Sequence, residues 1–299
     1  MSIRGKIAIE LIKLLGFKKI FELPTDELLE KAREMNAKRG FNSFKLDKRC
    51  HDELILNMYH CVRIMPKSGK SDSAVMYIFG GGNLVDCDKD DLKFAKKLAD
   101  SKNIEVWLPC YPLVLDNSVM EIVRMINAVY VKMLEYYDHD KISILGFSSG
   151  GAQSLILPEY INDTKSGLPM PHQIIAVSPG SCTRTEGVYE RALELEKKDV
   201  MIPASFLDIA DKLMTRFGDQ VPDYAVCSER GELTGVPMIH FIYGSDETLY
   251  SIAPEYEKAC KKYNVPYTMT VKPGMFHCYP MLQFYPEGKE GFNEILSYL

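Results

Sequence analysis

From Ser73 onward, short and uniformly apolar runs alternate with stretches whose apolar residues recur every three or four positions. "AVMYIF" (Ala74 to Phe79), "IEVWLP" (Ile104 to Pro109), "ISIL" (Ile142 to Leu145), "IIAVS" (Ile174 to Ser178), "MIHFIY" (Met238 to Tyr243) and "YTMTV" (Tyr267 to Val271) read as strands. Between them, Leu92, Ala95, Leu98 and Ala99 fall on one helical face, as do Val119, Ile122, Val123, Ile126, Val129, Tyr130 and Met133. Further helices are expected around Ala253 to Tyr263 and Glu290 to Leu299. Strands apolar on both faces and separated by helices require a sheet covered on both sides. The fold class is therefore α/β, doubly wound, with a mostly parallel sheet.

Two regions depart from that alternation. After Ser178 the rhythm breaks until Met238, with helical patterns in "YERALELEKK" and "ASFLDIADKLMTRF" whose stripe is Phe206, Ile209, Leu213 and Met214. An insertion between two sheet strands reads as a helical cap. At the start of the chain Ile3, Ile7, Leu11, Leu14 and Leu15 recur at helical spacing among Arg4, Lys6, Lys13, Lys18 and Lys19. This is an amphipathic helix, either covering substrate or a membrane surface, or packed on its own domain, and the last is preferred. A second helix spans roughly Thr25 to Lys38. The expected division is residues 1–45 as N-terminal helices contributing to the cap, 46–182 with 237–299 as the catalytic α/β unit, and 183–236 as the cap insertion.

Composition narrows the function. The chain has 299 residues, 46% hydrophobic, and a formal charge of −5 from mixed acids and bases, so it carries no electrostatic footprint for nucleic acid. Glu10 and Lys13 interrupt the first apolar run and no small-residue cleavage site follows, which argues against a signal peptide; no stable membrane insertion is expected. The 8 cysteines are scattered without metal-ligand spacing, and free thiols in a reducing, cytoplasmic setting are the simplest account.

"ILGFSSGGAQ" (Ile144 to Gln153) then asks why serines and glycines directly follow a strand. Gly146-Phe147-Ser148-Ser149-Gly150 is a G-x-S-x-G sequence between a strand and a helix, the setting of a nucleophile elbow. A serine hydroxyl is a poor nucleophile without a base and a group to orient that base. In such proteins the acid and then the histidine follow the serine on loops after late strands. His51, His60 and His139 precede Ser148, His172 precedes a strand, and His240 lies inside one, which leaves His277 in "KPGMFHCYP". Asp246 in "YGSDETLY" directly follows a strand and is the expected acid, with Glu247 as second choice. Asp208, Asp211, Asp219 and Asp223 fall in the insertion, where solvation is the usual fate of an aspartate. Gly80, Gly81 and Gly82 follow the strand Ala74 to Phe79, where backbone N–H groups could join that of Ser149 around an oxyanion. Cys278 beside His277 is expected to point away from it, as neighbours in an extended segment do.

With those elements in order, the sequence resembles the α/β-hydrolase superfamily, and within it the hormone-sensitive-lipase-like esterase and lipase family of acetyl esterase type. "FGGGN" is similar to its H-G-G-G stretch, "GFSSGG" to its serine elbow, "GSDETL" to its acid loop and "GMFHCYP" to its histidine loop. Phe79 stands where the family usually has histidine, Phe147 where it often has aspartate, and "CYPL" where it has D-Y-R-L. The resemblance implies an α/β-hydrolase fold and a catalytic triad of Ser148, Asp246 and His277. It also implies an oxyanion hole from Gly81, Gly82 and Ser149.

The function expected is carboxylic-ester hydrolysis through an acyl-enzyme, on small or short-chain acyl esters, with no metal and no organic cofactor. A homodimer is left open. Alternatives are an amidase or peptidase with the same triad, separated by comparing ester and amide turnover, and a non-catalytic ligand-binding protein, separated by serine-directed labelling.

Overall fold

A computed structural model describes residues 1–299. Its strands are β1 (Cys50–Ile55), β2 (Tyr59–Ile64), β3 (Ala74–Ile78), β4 (Glu105–Pro109), β5 (Ile142–Phe147), β6 (Gln173–Val177), β7 (Ile239–Gly244) and β8 (Tyr267–Lys272). They form one 8-stranded sheet in the order β1-β2-β4-β3-β5-β6-β7-β8. The pairs from β4-β3 through β7-β8 are parallel, while β1-β2 and β2-β4 are antiparallel. The six strands expected from the apolar runs are all present. The first hairpin, β1 and β2, was not anticipated. β1 is polar along most of its length, and its turn uses Leu56 and Asn57, both at positive φ (52° and 58°), instead of a glycine that would mark it.

The helices are α1 (Ile3–Leu15), α2 (Phe17–Phe21), α3 (Thr25–Asn36), α4 (Lys89–Lys102), α5 (Val119–Met133), α6 (Ser149–Thr164), α7 (Val188–Glu196), α8 (Ser205–Met214), α9 (Asp223–Val226), α10 (Ala253–Lys262) and α11 (Pro286–Tyr298). Strands β3, β4, β5 and β6 are buried at every residue, because helices cover both faces of the sheet. A single cluster of 82 buried apolar residues runs from the sheet into α8 and α9, so the insertion shares the core of the α/β unit.

Phe21 of α2 meets Phe206 of α8 with ring centroids 4.5 Å apart, and Lys18 Nζ donates to the carbonyls of Glu196 and Asp199 at 2.9 and 3.1 Å. The segment around α2 thus packs on the insertion. Helix α1 goes elsewhere and turns the opposite way from expectation. It buries Gly5, Ala8 and Ile12 and packs against α11, with the Ser2 hydroxyl donating to Glu287 at 2.8 Å. The stripe Ile3, Ile7, Leu11, Leu14 and Leu15 faces outward, Leu14 being 83% exposed. The small residues Gly5 and Ala8 permit a close approach to α11 that the large stripe would not. No helix is long and apolar enough to cross a membrane.

The cysteines are not all free. Cys182 and Cys227 are joined by a disulfide with their Cα atoms 5.2 Å apart, and the other cysteines are thiols. The two lie 45 residues apart, one after β6 and one at the end of α9, and only the folding of the insertion brings them together. With that bridge, the cysteine pattern no longer argues for a reducing compartment.

Candidate active site

Ser148 sits between β5 and α6 with φ 55° and ψ −123°, a backbone conformation that L residues rarely adopt. The flanking glycines make it feasible. A Cβ on Gly146 would lie 2.0 Å from the Gly150 carbonyl oxygen, and a Cβ on Gly150 would lie 2.2 Å from that of Ile78. Strand and helix therefore approach at a separation no larger residue allows, and the turn presents the Ser148 hydroxyl at the carboxyl edge of the sheet.

His277 meets it from the loop after β8. Its Nε2 lies 2.9 Å from Ser148 Oγ, and its Nδ1 lies 2.6 Å from Glu247 Oε2. The carboxylate that meets His277 is thus not that of the expected Asp246 but that of the next residue. Ser245 and Asp246 form the turn that leaves β7; the Asp246 carboxylate accepts from the Ser245 hydroxyl at 2.7 Å and its N–H donates to the Met275 carbonyl at 3.0 Å. Glu247, fully buried, turns inward instead, and its longer side chain reaches the imidazole. Its other oxygen accepts from the Gly244 N–H at 2.7 Å and the Ser178 hydroxyl at 2.9 Å. Ser178 in turn accepts from the Cys278 N–H at 3.0 Å, tying the acid and histidine loops together. Sequence reasoning missed Ser178, whose only signal was its place at the end of a sheet strand.

Burial pushes the Glu247 carboxyl up, opposed by His277, Gly244 and Ser178. For His277, burial disfavours the charged ring, yet the Cys278 sulfur and the Glu247 carboxylate favour it, and the balance holds the imidazole above the ordinary histidine range. A second expectation fails beside it. Cys278 adopts a left-handed backbone (φ 56°), so its side chain curls back and places Sγ 3.4 Å from the same His277 Nε2. The neighbour rule for extended chain does not apply at that residue.

Gly81 and Gly82 have φ of 124° and 64°, and a Cβ on Gly81 would lie 2.5 Å from the Val85 carbonyl oxygen. The Gly81 carbonyl accepts from both Leu84 and Val85 N–H at 3.0 Å, closing the loop into a tight turn. The N–H groups of Gly81, Gly82 and Ser149 have no acceptor within the protein, and Ser149 opens helix α6, where the first amides are unpaired. At Phe79, where a histidine was expected by resemblance, the ring stacks on Tyr111 at 4.1 Å, and the Tyr111 hydroxyl donates to the Phe79 carbonyl at 2.9 Å. Tyr111, inside the "CYPL" stretch, thus braces the start of the glycine loop.

Beside Ser148 lies a cavity of about 60 Å³, closed by Phe206, Leu207 and Met214 of α8 and by Val226 of α9. His240 is structural: it stacks on Tyr298 at 3.7 Å and bonds Thr268 at 2.8 Å. Of the insertion's aspartates, Asp211 pairs with Arg184 at 2.6 Å.

A histidine-linked serine on a strained turn between strand and helix, in a sheet of this order, defines an α/β-hydrolase architecture. The model of the α/β-hydrolase-fold family matches residues 75–281, and the chain belongs to that family. An acetyl-hydrolase of Streptomyces hygroscopicus is 22% identical over 251 residues, 82% of this chain and 81% of its own. An esterase from the bacterial hormone-sensitive lipase (HSL) family is similar in structure, with TM-score 0.79 and 21% identity over 100% of this chain and 97% of that one. An esterase/lipase from an uncultured bacterium gives TM-score 0.79 at 19% identity, covering 100% of this chain and 98% of its own.

Proposed function

We propose that the protein is a carboxylic-ester hydrolase acting on short-chain acyl esters, with Ser148 as nucleophile, His277 as general base and Glu247 as the orienting acid. The observation that carries this reading is the unbroken chain Ser148 Oγ to His277 Nε2 at 2.9 Å and His277 Nδ1 to Glu247 at 2.6 Å. His277 takes the serine proton as Oγ attacks the ester carbonyl. The developing oxyanion is received by the N–H groups of Gly81, Gly82 and Ser149. His277 then protonates the leaving alcohol, and a water deprotonated by His277 attacks the acyl-enzyme to release the acid. Glu247 holds the imidazole in the tautomer with its proton on Nδ1 and stabilises the imidazolium. None of these steps calls for a metal or cofactor.

Short acyl groups are supported by the cavity of about 60 Å³ and by the likeness to an acetyl-hydrolase. The insertion 183–236 serves as the cap over Ser148, with the segment around α2 buttressing it. A fluorophosphonate probe should label the folded protein and fail on Ser148→Ala. Ester hydrolysis by that variant should fall by about 10⁵-fold or more. An unlabelled, folded wild-type protein would sink the assignment and favour a binding protein instead.

A further inference from the structure

The cavity beside Ser148 is apolar on the side of the insertion but not on the side of the nucleophile. Two carboxamides line it there, Asn83 at the end of the glycine loop and Gln153 on α6, one turn after Ser149. Both are buried, 5% and 1% exposed. Neither Oε1 nor Nε2 of Gln153 has a hydrogen-bond partner, and Asn83 Oδ1 has none. The Asn83 amide nitrogen reaches only the Met214 thioether, at 3.7 Å. The backbone of Asn83 is meanwhile firmly held, its N–H donating to Ser149 Oγ at 3.2 Å and its carbonyl accepting from Val114 at 2.9 Å.

Buried amides are almost always satisfied, and leaving one unpaired costs far more than a typical hydrogen bond returns. Here two such residues line one small space next to the reacting serine and between them hold two free acceptors and a free donor. We infer that Asn83 and Gln153 form a polar subsite for an uncharged hydroxyl or carboxamide group carried by the ester substrate, making them the residues that set its specificity. A hydroxyl placed between them would donate to Asn83 Oδ1 or Gln153 Oε1 and accept from Gln153 Nε2; a carboxamide would do the same with N–H and carbonyl. The group must be neutral, because the remaining walls of Phe206, Leu207, Met214 and Val226 supply no counter-charge. A site built to bond a polar group rejects the analogue that lacks it, since its own buried amides are then left unpaired.

This inference rests on the hydrolase reading for its setting, and the test separates the two. Kinetics on para-nitrophenyl butyrate and the analogue with its terminal methyl replaced by hydroxyl reads the acyl side. Butyl acetate and the matching hydroxyl-terminated acetate read the alcohol side. The wild type should favour the hydroxyl ester in kcat/KM by about tenfold or more on one of the two sides. Gln153→Met, close in shape, and Asn83→Leu should each reduce that ratio toward one. Equal rates or preference for the methyl ester on both sides would overturn the subsite, as would a hydroxyl preference that survives both variants. Calorimetric binding of the paired acids and alcohols to Ser148→Ala reads the same preference without turnover. A protein that hydrolysed no ester would therefore remove the proposed function while this measurement still decided the subsite. Should the variants fail to fold, the wild-type and Ser148→Ala ratios alone decide it.

Discussion

The two sides of Ser148 are built on opposite principles. Toward His277, the acid and the hydroxyl behind it are fully engaged: Glu247 receives His277, Ser178 and the Gly244 amide, and Ser178 receives Cys278. Toward the cavity, Gln153 keeps both its amide atoms and Asn83 its Oδ1 without partners although both residues are buried. The difference teaches that the first side is organised before any substrate arrives, whereas the second is completed by what enters it. Groups on the occupied side should act on rate; those on the open side should act on choice of substrate.

The sharpest way to break this contrast is at the acid. Glu247→Gln should lower kcat by about 10⁴-fold, because the imidazole loses both its tautomer and its counter-charge, while Asp246→Asn should cost less than about tenfold. Steady-state rates with one aryl ester would reverse the assignment if Asp246→Asn proved the worse. The carboxylate also favours the charged ring, so activity should rise with pH through a histidine pKa held above the usual 6.5. In Glu247→Gln that rising limb of kcat/KM should shift toward lower pH.

Next in size is the glycine loop, where a side chain at Gly81 would meet the Val85 carbonyl at 2.5 Å and a φ of 124°. Gly81→Ala should cost about 10²- to 10³-fold in kcat, the range for losing one oxyanion donor, with KM moving far less. A KM effect alone would place the loop on the substrate-choosing side.

Glu159 sharpens the comparison from a different direction. It lies on α6 like Gln153 and is unpartnered at both oxygens, yet it faces Gly231 and does not open on the cavity. Burial, reinforced by Glu229 and offset only in part by the nearby Gly231 N–H, holds its carboxyl well above the ordinary range. Below the unfolded value near 4.5 both states are protonated and nothing is lost. As pH rises past that value the unfolded chain ionises first, so stability falls by about 1.4 kcal/mol per pH unit until the folded carboxyl also titrates. Glu159→Gln should flatten that decline and raise the melting temperature at pH 8 relative to pH 5, without altering ester preference. A wild-type melting temperature that climbed with pH over that interval would contradict it.

The smallest effect is expected at Cys278, whose sulfur shares His277 Nε2 with the serine. Cys278→Ala should change kcat by less than about threefold, since a thiol is a weak donor. It should nonetheless remove inactivation by iodoacetamide, measured as residual activity after alkylation.

Much of this architecture was legible in the sequence. Buried strands write their burial in every residue, so β3 to β7 and the elbow between Phe147 and Ser149 could be read directly, as could the edge strand β8 from its run of β-formers and His277 by elimination. What failed were choices that depend on rotation about the chain. Asp246 and Glu247 are adjacent acids, and only the turn at Ser245 decides which one points inward. Cys278 was misjudged because a left-handed residue carries no mark when it is not glycine. The outward face of α1 and the Cys182–Cys227 bridge both depend on tertiary neighbours that no periodicity encodes. Asn83 and Gln153 were silent because an amide's lack of partners exists only in three dimensions.

The Cys182–Cys227 bond has a mechanical consequence for traffic through the site. Each half-cystine follows immediately on residues that wall the cavity, Gly180 and Ser181 on one side and Ala225 and Val226 on the other. Those two stretches are stitched into a single rigid jamb, so the insertion does not hinge there. Helix α8 carries no such cross-link: Phe206 meets Phe21 by aromatic contact and Asp211 pairs with Arg184, so the wall it contributes is held by non-covalent contacts alone.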